Sequence, residues 1–177
     1  YWALASQTAN GQGRLNDALA AREKAIEISE AFLSRSPEWD ARIPVILLLA
    51  RLQMEAGDYM GAVEALQRTR ELTPKQRAAS GAAVEVLTLE AECEVHLRRR
   101  DAAIQKRDKA IEATHRLAER GGGSEGDGAA AIETMIRSAM RLSEAGEQGF
   151  AGPLFGTAVP ALERIAPVRV TARYRTA

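Results

Sequence analysis

The sequence predicts an all-α fold, and three observations support this prediction. Aromatic residues make up only 5% of the chain while apolar residues make up 46%. Alanine, leucine, isoleucine and valine must therefore supply the buried surface, which suits close-packed helices better than sheets. Apolar residues also recur at helical spacing along much of the chain. Finally, one helical segment occurs twice, with its two copies beginning at Ala21 and at Lys106.

The repeated segment sets the period of the fold. Ala21–Arg35 (AREKAIEISEAFLSR) matches Lys106–Arg120 (KRDKAIEATHRLAER) at six identical positions, and its apolar residues follow i, i+3, i+4, i+7 spacing. An intermediate copy, GDYMGAVEALQRTREL, begins at Gly57, about halfway between the corresponding parts of the two copies, and a similar turn residue precedes the first copy at Gly13. The interval between the two copies, 85 residues from Ala25 to Ala110, therefore contains two repeats of roughly forty residues each.

Helix boundaries follow from turn and capping residues. Ser36-Pro37 and Thr73-Pro74 each supply an N-cap followed by proline at the first helical position. Gly57-Asp58 predicts a tight turn between two helices, and Gly13 has the same role earlier. The predicted helices lie near residues 2–11, 14–35, 38–56, 58–72, 75–98, 100–120, 129–145 and 150–166.

These helices predict four regions. Residues 1–120 form three helix pairs, 121–128 (GGGSEGDG) a flexible Gly-rich loop, 129–166 a fourth and degenerate pair, and 167–177 an extended tail or an edge strand. The Gly-rich loop lacks the Lys-Ser/Thr ending of a phosphate-binding loop, and no strand precedes it. We therefore expect no nucleotide site there.

Residues Glu55–Pro74 (EAGDYMGAVEALQRTRELTP) resemble the second half of a tetratricopeptide repeat. In that family a small residue lets two helices approach, a large one fills the gap between repeats and a proline closes the unit. Ala62, Leu66 and Pro74 stand at those places, while Arg22 and Arg107 stand where other units need bulk. The matching residues of the other units are Trp2, Ala18, Ala25, Leu87, Ala91, Ala103, Ala110, Met135, Ala139, Ala151, Phe155 and Ala158.

The repeat length is similar to the long-repeat variety of this family in kinesin light chains and in bacterial signalling and regulator arrays. The resemblance implies a right-handed α-α superhelix, or solenoid, of about four helix-turn-helix repeats, with a concave groove that binds a protein or peptide. The groove positions that it implies are Gln7, Asn10, Leu47, Arg51, Met54, Glu55, Thr88, Glu92, His96, Ile136, Met140 and Glu144.

Several kinds of chemistry are disfavoured. The 24 basic residues balance 24 acidic ones, so no net charge attracts nucleic acid, and no apolar run is long enough to span a membrane. The single cysteine, Cys93, excludes an internal disulfide and favours a cytoplasmic setting. Cys93 and His96 share a helix face, but we expect a buried, inert thiol, no metal site and no cofactor. Arg98, Arg99 and Arg100 predict a solvated turn.

The predicted function is therefore a non-enzymatic scaffold for protein–protein interaction. The chain opens at Tyr1 without methionine or a signal segment, which indicates a sensor or assembly module of a larger signalling or regulatory protein. Its partner would be a peptide, another protein, a second copy or upstream domains. Some relatives clamp chaperone C-terminal tails with Lys and Asn at set groove positions, which here hold Ala3, Gln7, Leu48, Glu85 and Leu89, so we expect no such clamp. Two alternatives stay open: a self-association module, and the ligand-sensing part of a transcriptional regulator.

Overall fold

The computed structural model describes residues 4–5, 15–35, 39–71, 80–121 and 127–166, and every regular element within these ranges is helical. The prediction of an all-α fold is confirmed for this part of the chain. Its helices are α1 (Leu15–Arg35), α2 (Trp39–Glu55), α3 (Tyr59–Gln67), α4 (Gly81–His96), α5 (Arg100–Glu119), α6 (Asp127–Glu144) and α7 (Gln148–Ile165).

Most of these boundaries lie close to the predicted ones. The α-helical part of α3 ends earlier, because a 3-10 turn occupies Arg68–Glu71. There the Thr69 hydroxyl donates to the Leu66 carbonyl at 2.7 Å, a local bond that competes with helix continuation. Helix α4 begins at Gly81 and not near 75. Residues 72–79, most of the predicted helix 2–11, most of the Gly-rich loop and the predicted tail lie outside the described residues.

The chain divides into an N-terminal unit, Tyr1–Arg70, and a C-terminal unit, Glu71–Ala177. In the N-terminal unit α2 packs against both α1 and α3. In the C-terminal unit α4 pairs with α5 and α6 pairs with α7, while α4 also packs on α6 and α5 on α7. The helix pairs on the two sides of the Gly-rich segment 121–128 therefore share one core.

The same turn joins the two helices of three successive pairs. Gly57, Arg98 and Gly146 have positive φ angles of 80°, 60° and 87°. In each turn the following residue donates its backbone N–H to the carbonyl at the fifth position before it, at 2.9, 2.9 and 2.8 Å respectively. This bond and the left-handed residue before it define the Schellman C-cap. The cap therefore recurs once in each of these three helix pairs.

Alanines recur at fixed distances from these turns. One stands at position −7 from each turn residue and another stands at position +5. All six are buried: Ala50, Ala91, Ala139, Ala62, Ala103 and Ala151. Because a small side chain lets two helix backbones approach closely, this recurrence marks repeated helix crossings. The turn and the two alanines that flank it therefore recur three times in the packing of the described residues.

Arg22 and Arg107, which stand where the resemblance predicts a large apolar residue, also form polar or cation–π contacts with a neighbouring helix. The Arg107 guanidinium lies over the Phe150 ring of α7, 5.2 Å from its centroid. Arg22 Nη1 donates to the Glu55 carbonyl at the end of α2, at 3.1 Å. Both side chains are mostly buried, so their aliphatic stems fill the space while their charged heads contact the following helix pair.

The Arg98 turn leads to a prediction about stability. We expect Arg98→Gly to raise the free energy of unfolding by about 0.5–1 kcal/mol, because the left-handed conformation costs an L-residue about 1–2 kcal/mol, and greater unfolded-state entropy offsets part of that gain. Gly146→Ala is the matched control and should lower it by about 1 kcal/mol, since open space surrounds Gly146 and only backbone strain changes. Urea unfolding measures both. A loss of stability in Arg98→Gly would contradict the assigned cap.

Candidate functional site

Helix α6 presents one exposed stripe on the C-terminal unit. Arg137, Met140, Arg141 and Glu144 are exposed, and their i, i+3, i+4, i+7 spacing places them on one side of the helix. The other side of α6 is buried and contributes residues such as Ile132 to the core. The α6 stripe therefore combines two cations, a carboxylate and a flexible thioether.

A buried carboxylate on α4 anchors this stripe. Glu92 is only 2% exposed, and its two carboxylate oxygens accept hydrogen bonds from Arg141 Nε and Nη2 at 2.6 and 2.7 Å. Ser138 Oγ donates a third bond at 2.6 Å. A two-pronged guanidinium–carboxylate contact is directional as well as strong, so it holds the Arg141 side chain in one orientation. Arg141 still exposes about half of its side chain (48%).

A second polar contact shows how α4 and α6 are aligned. Thr134 Oγ1 lies 3.2 Å from Glu85 Oε1, where its hydroxyl can donate. The sequence separation is 49 for Thr134 and Glu85, and it is also 49 for Arg141 and Glu92. A constant separation means that residue numbers rise together along the two helices. Helices α4 and α6, which are the first helices of their pairs, therefore run parallel and side by side.

The other buried carboxylates of α4 also face cations. Glu90 pairs with Lys106 of α5, and Glu94 Oε2 lies 3.6 Å from Arg99 Nη1 in the turn. Glu90, Glu92 and Glu94 therefore pair with cations on three different segments, which are α5, α6 and the turn. Buried charges of this kind need such partners in any stable fold. The buried carboxylates of α4 thus each have a cation as partner in the packing of the unit.

Cys93 lies among these carboxylates and is fully buried. Burial raises the pKa of the Cys93 thiol far above its usual value, and the negative charges of Glu92, Glu94 and Glu90 raise it further. The thiol therefore stays protonated and is a poor nucleophile, as the sequence predicted for a packed cysteine. Within the described ranges, no three His, Cys, Asp or Glu side chains lie close enough together to bind a metal ion.

The N-terminal unit has its own exposed stripe, on α2. Leu48 and Glu55 are exposed there, and Arg51 between them is partly exposed. The Glu55 carbonyl accepts the hydrogen bond from Arg22, so the end of α2 is held against α1. The α2 stripe, like the α6 stripe, therefore combines an apolar side chain with charges of both signs.

The structure distinguishes among the residues predicted for the groove. Glu55, Met140 and Glu144 are exposed, and Arg51, Met54 and His96 are partly exposed. Leu47, Thr88, Glu92 and Ile136 are buried, so their side chains fill helix–helix contacts and do not face solvent. Thr88, Glu92 and Ile136 are buried because α4 and α6 each pack on a pair partner and on one another, and Leu47 is buried because α2 packs against both α1 and α3. Gln7 and Asn10 lie outside the described residues.

Sequence reasoning missed three exposed residues of these stripes: Leu48, Arg137 and Arg141. The helical spacing from Arg137 to Glu144 could have identified the last two. It could not have identified the clamp between Glu92 and Arg141, because that contact joins two helices that are far apart in the sequence.

Comparisons with known proteins identify no family for this chain. No family model matches it, and no curated protein does. A solved structure similar to it is the crystal structure of MamA protein, with 17% sequence identity and a TM-score of 0.39 over 99% of this chain and 94% of that one. Among the described helices, none is long and apolar enough to cross a membrane. The function is therefore inferred from the chain's own residues.

Proposed function

We propose that this chain is a helical-repeat scaffold that binds a segment of another protein. The observation that supports this most strongly is the recurrence of one turn with a buried alanine at position −7 and another at position +5. Repeated pairs of this kind stack so that each buries the apolar face of its neighbour. In the C-terminal unit the parallel first helices α4 and α6 lie side by side.

The repeat is proposed to be of the tetratricopeptide type. The buried residues Ala62, Ala103, Ala110, Ala151 and Ala158 are the small residues that carry the sequence resemblance. The proposal includes about four long helix pairs in a right-handed superhelix. It keeps the predicted regions 1–120, 121–128, 129–166 and 167–177. A module of a larger regulatory protein, in the cytoplasm, is the setting that we propose for it.

We propose one binding face in each unit, formed by the exposed stripe of a first helix. In the C-terminal unit this is the α6 stripe, in which Arg141 is held by Glu92 and Met140 is 47% exposed. Methionine adapts its shape to different apolar partners, and a fixed guanidinium offers directional donors. In the N-terminal unit the α2 stripe offers a similar mixture. These properties suit a peptide or protein segment that has both apolar and acidic side chains.

The ion pairing of the buried carboxylates and the burial of the cysteine thiol also agree with a binding role. The buried carboxylates of α4 are paired with cations, and the Cys93 thiol is buried and protonated. Reactive side chains of an active site must instead reach a substrate and have pKa values suited to proton transfer or attack. The described residues thus offer more to a binding partner than to a reaction.

A pair of methionines provides the test. A photo-crosslinking amino acid is placed at Met140 on the first helix α6, or at Met60 on the second helix α3, where the side chain is 41% exposed. In cells that produce the natural full-length protein, we expect light-dependent adducts with a distinct protein from position 140 and few or none from position 60. Mass spectrometry identifies the adducts.

Two results would contradict the proposal. Adducts from position 60 with none from position 140 would place the binding face on the second helices. Adducts that contain only a second copy of the chain would instead support a self-association module. Met140→Glu should reduce co-purification of the identified partner by at least about tenfold, because it places a charge in an apolar contact. Met60→Glu should leave co-purification unchanged.

A further inference from the structure

Helices α4 and α6 occupy equivalent places in their helix pairs. When positions are counted back from the turn residues Arg98 and Gly146, a buried alanine stands at position −7 in both helices and a glutamate stands at position −13. The segments 81–96 (GAAVEVLTLEAECEVH) and 129–144 (AAAIETMIRSAMRLSE) align without a gap in this register. Each side of α4 can therefore be matched with one side of α6.

One side of α4 is covered by α6. Glu85, Leu89 and Glu92 are spaced i, i+4, i+7, so they lie on one side of the helix. Glu85 Oε1 lies 3.2 Å from Thr134 Oγ1, and Glu92 Oε2 accepts a hydrogen bond from Ser138 Oγ at 2.6 Å. Leu89 and Glu92 are only 1% and 2% exposed. Positions −13, −9 and −6 of α4 therefore lie on the side that meets the first helix of the following pair.

The equivalent side of α6 faces solvent along most of its length. Positions −13, −9 and −6 from Gly146 are Glu133, Arg137 and Met140, and Glu144 follows at position −2. Arg137 and Glu144 are exposed, Met140 is 47% exposed and Glu133 is partly exposed. We call these four residues the outer side of α6. It corresponds to the side of α4 that carries a further first helix.

The other two sides of α6 are occupied by the helices already described. Thr134, Ser138 and Arg141 contact α4. Ile132 belongs to the core that α6 shares with α7. Since successive residues of a helix are rotated by about 100°, Met140 and its neighbours on the outer side point away from both of these contacts. A helix can therefore lie on the outer side without displacing α4 or α7.

We infer that the partner segment is an α-helix that lies on the outer side of α6 and runs parallel to it, as α6 does on α4. The inference rests on the proposed function, because it describes the segment that this face would bind. The parallel direction follows from α4 and α6, in which the numbers of contacting residues rise together. In a helix the interior backbone N–H and C=O groups bond within the segment, so a surface that offers only side chains can hold it.

The residues of the outer side determine which side chains the partner helix needs. Position −6 is Glu92 in α4, which accepts hydrogen bonds from Ser138 and Arg141, but it is Met140 in α6. A polar side chain packed on methionine would lack such an acceptor, so the partner should be aliphatic there. Arg137 favours a carboxylate opposite it. The partner is therefore an amphipathic helix that has aliphatic residues against Met140 and an acidic residue beside Arg137.

The length of the outer side provides a ruler for the test. From Glu133 to Glu144 the helix rises about 16 Å, at about 1.5 Å per residue. A partner helix covers that distance with about eleven residues, whereas an extended segment needs about five, at about 3.3 Å per residue. A photo-crosslinking amino acid is placed at Glu133, Met140 or Glu144 of the natural full-length protein in cells, and mass spectrometry maps the partner residues that are joined. We expect their numbers to rise from 133 to 144, over about eleven residues.

Substitution of Arg137 tests the predicted acidic contact. Arg137→Glu should reduce co-purification of the identified partner at least about tenfold, because it places like charges opposite each other. Arg137→Lys keeps the positive charge and should retain most of the binding. Met60→Glu is the control at an exposed position of the other unit and should have no effect. Circular dichroism checks that each variant keeps its helical content.

Several outcomes would overturn the inference. Joined residues about five apart would indicate an extended partner, and numbers that fall from 133 to 144 would indicate an antiparallel helix. Joined residues in a second copy, or elsewhere in the same chain, would identify a different occupant. Unchanged co-purification of Arg137→Glu would exclude the acidic contact. The proposed function fails separately: absence of adducts from position 140 would overturn both, whereas adducts with the wrong spacing or order would overturn only this inference.

Discussion

Arg141→Ala is expected to lower the free energy of unfolding by about 2 kcal/mol, less than for a fully buried pair because about half of the Arg141 side chain (48%) is exposed. The substitution removes both guanidinium hydrogen bonds from Glu92 and leaves that carboxylate buried with only the Ser138 hydroxyl as a donor. Removing the cation that pairs with a buried carboxylate is costly because the remaining charge has lost its compensation, not because the intact pair is strongly stabilising. Equilibrium urea unfolding of the chain, followed by circular dichroism, measures the change.

Two control variants separate this explanation from others. Arg116→Ala removes an exposed ion pair with Glu112, in which the nearest atoms are 3.1 Å apart, and should cost no more than about 0.5 kcal/mol. The double variant Glu92→Met/Arg141→Met should be more stable than Arg141→Ala by at least about 1 kcal/mol, since neither charge is then left unpaired. If the double variant were less stable than the single one, uncompensated burial of Glu92 would not be the cause.

Ala139→Leu should also be strongly destabilising, by about 2–3 kcal/mol. Ala139 is fully buried on α6 at position −7 from a turn residue, where each of the three helix pairs with this turn has an alanine. A leucine there has no space unless the helices separate or neighbouring side chains leave their preferred rotamers. Chemical denaturation measures the loss of stability, and near-ultraviolet circular dichroism reports the change in packing.

Ala130→Leu is the matched control, because it makes the same substitution on an exposed position of the same helix. It should change stability by less than about 0.5 kcal/mol. Equal effects of the two substitutions would mean that the buried alanines are not close-contact positions. The repeat proposal would then lose its main support.

Helix positions could be predicted well from the sequence because their determinants are local. Ser36-Pro37 and Gly57-Asp58 mark helix ends, and apolar spacing marks the helices between them. The α3 boundary was less accurate because the Thr69 hydroxyl bonds to the Leu66 carbonyl, and a helical pattern does not distinguish that bond from continued helix. The Arg98 cap was not predicted either, since glycine is the usual residue with positive φ at that position.

The candidate site was predicted only in part. Met140, Glu55 and Arg51 were correctly placed at least partly in solvent, because helical phase separates exposed from buried positions in a single helix. Glu92 and Ile136 were expected to face the groove but are buried. A glutamate at such a position is normally exposed, and its burial depends on Ser138 and Arg141, which lie on another helix.

The helical class and the recurrence of the turn with its two alanines are therefore determined by the sequence itself. The duplicated segment, the alanines around each turn and the all-α class all follow from local pattern and side-chain size. Only the tertiary structure decided which apolar residues of the repeated segment are buried. Ile28 and Ala113 occupy equivalent places in the two copies of the repeated segment, yet the first is exposed and the second is buried. Burial depends on the helix packed alongside, and a residue's own sequence neighbours do not specify that helix.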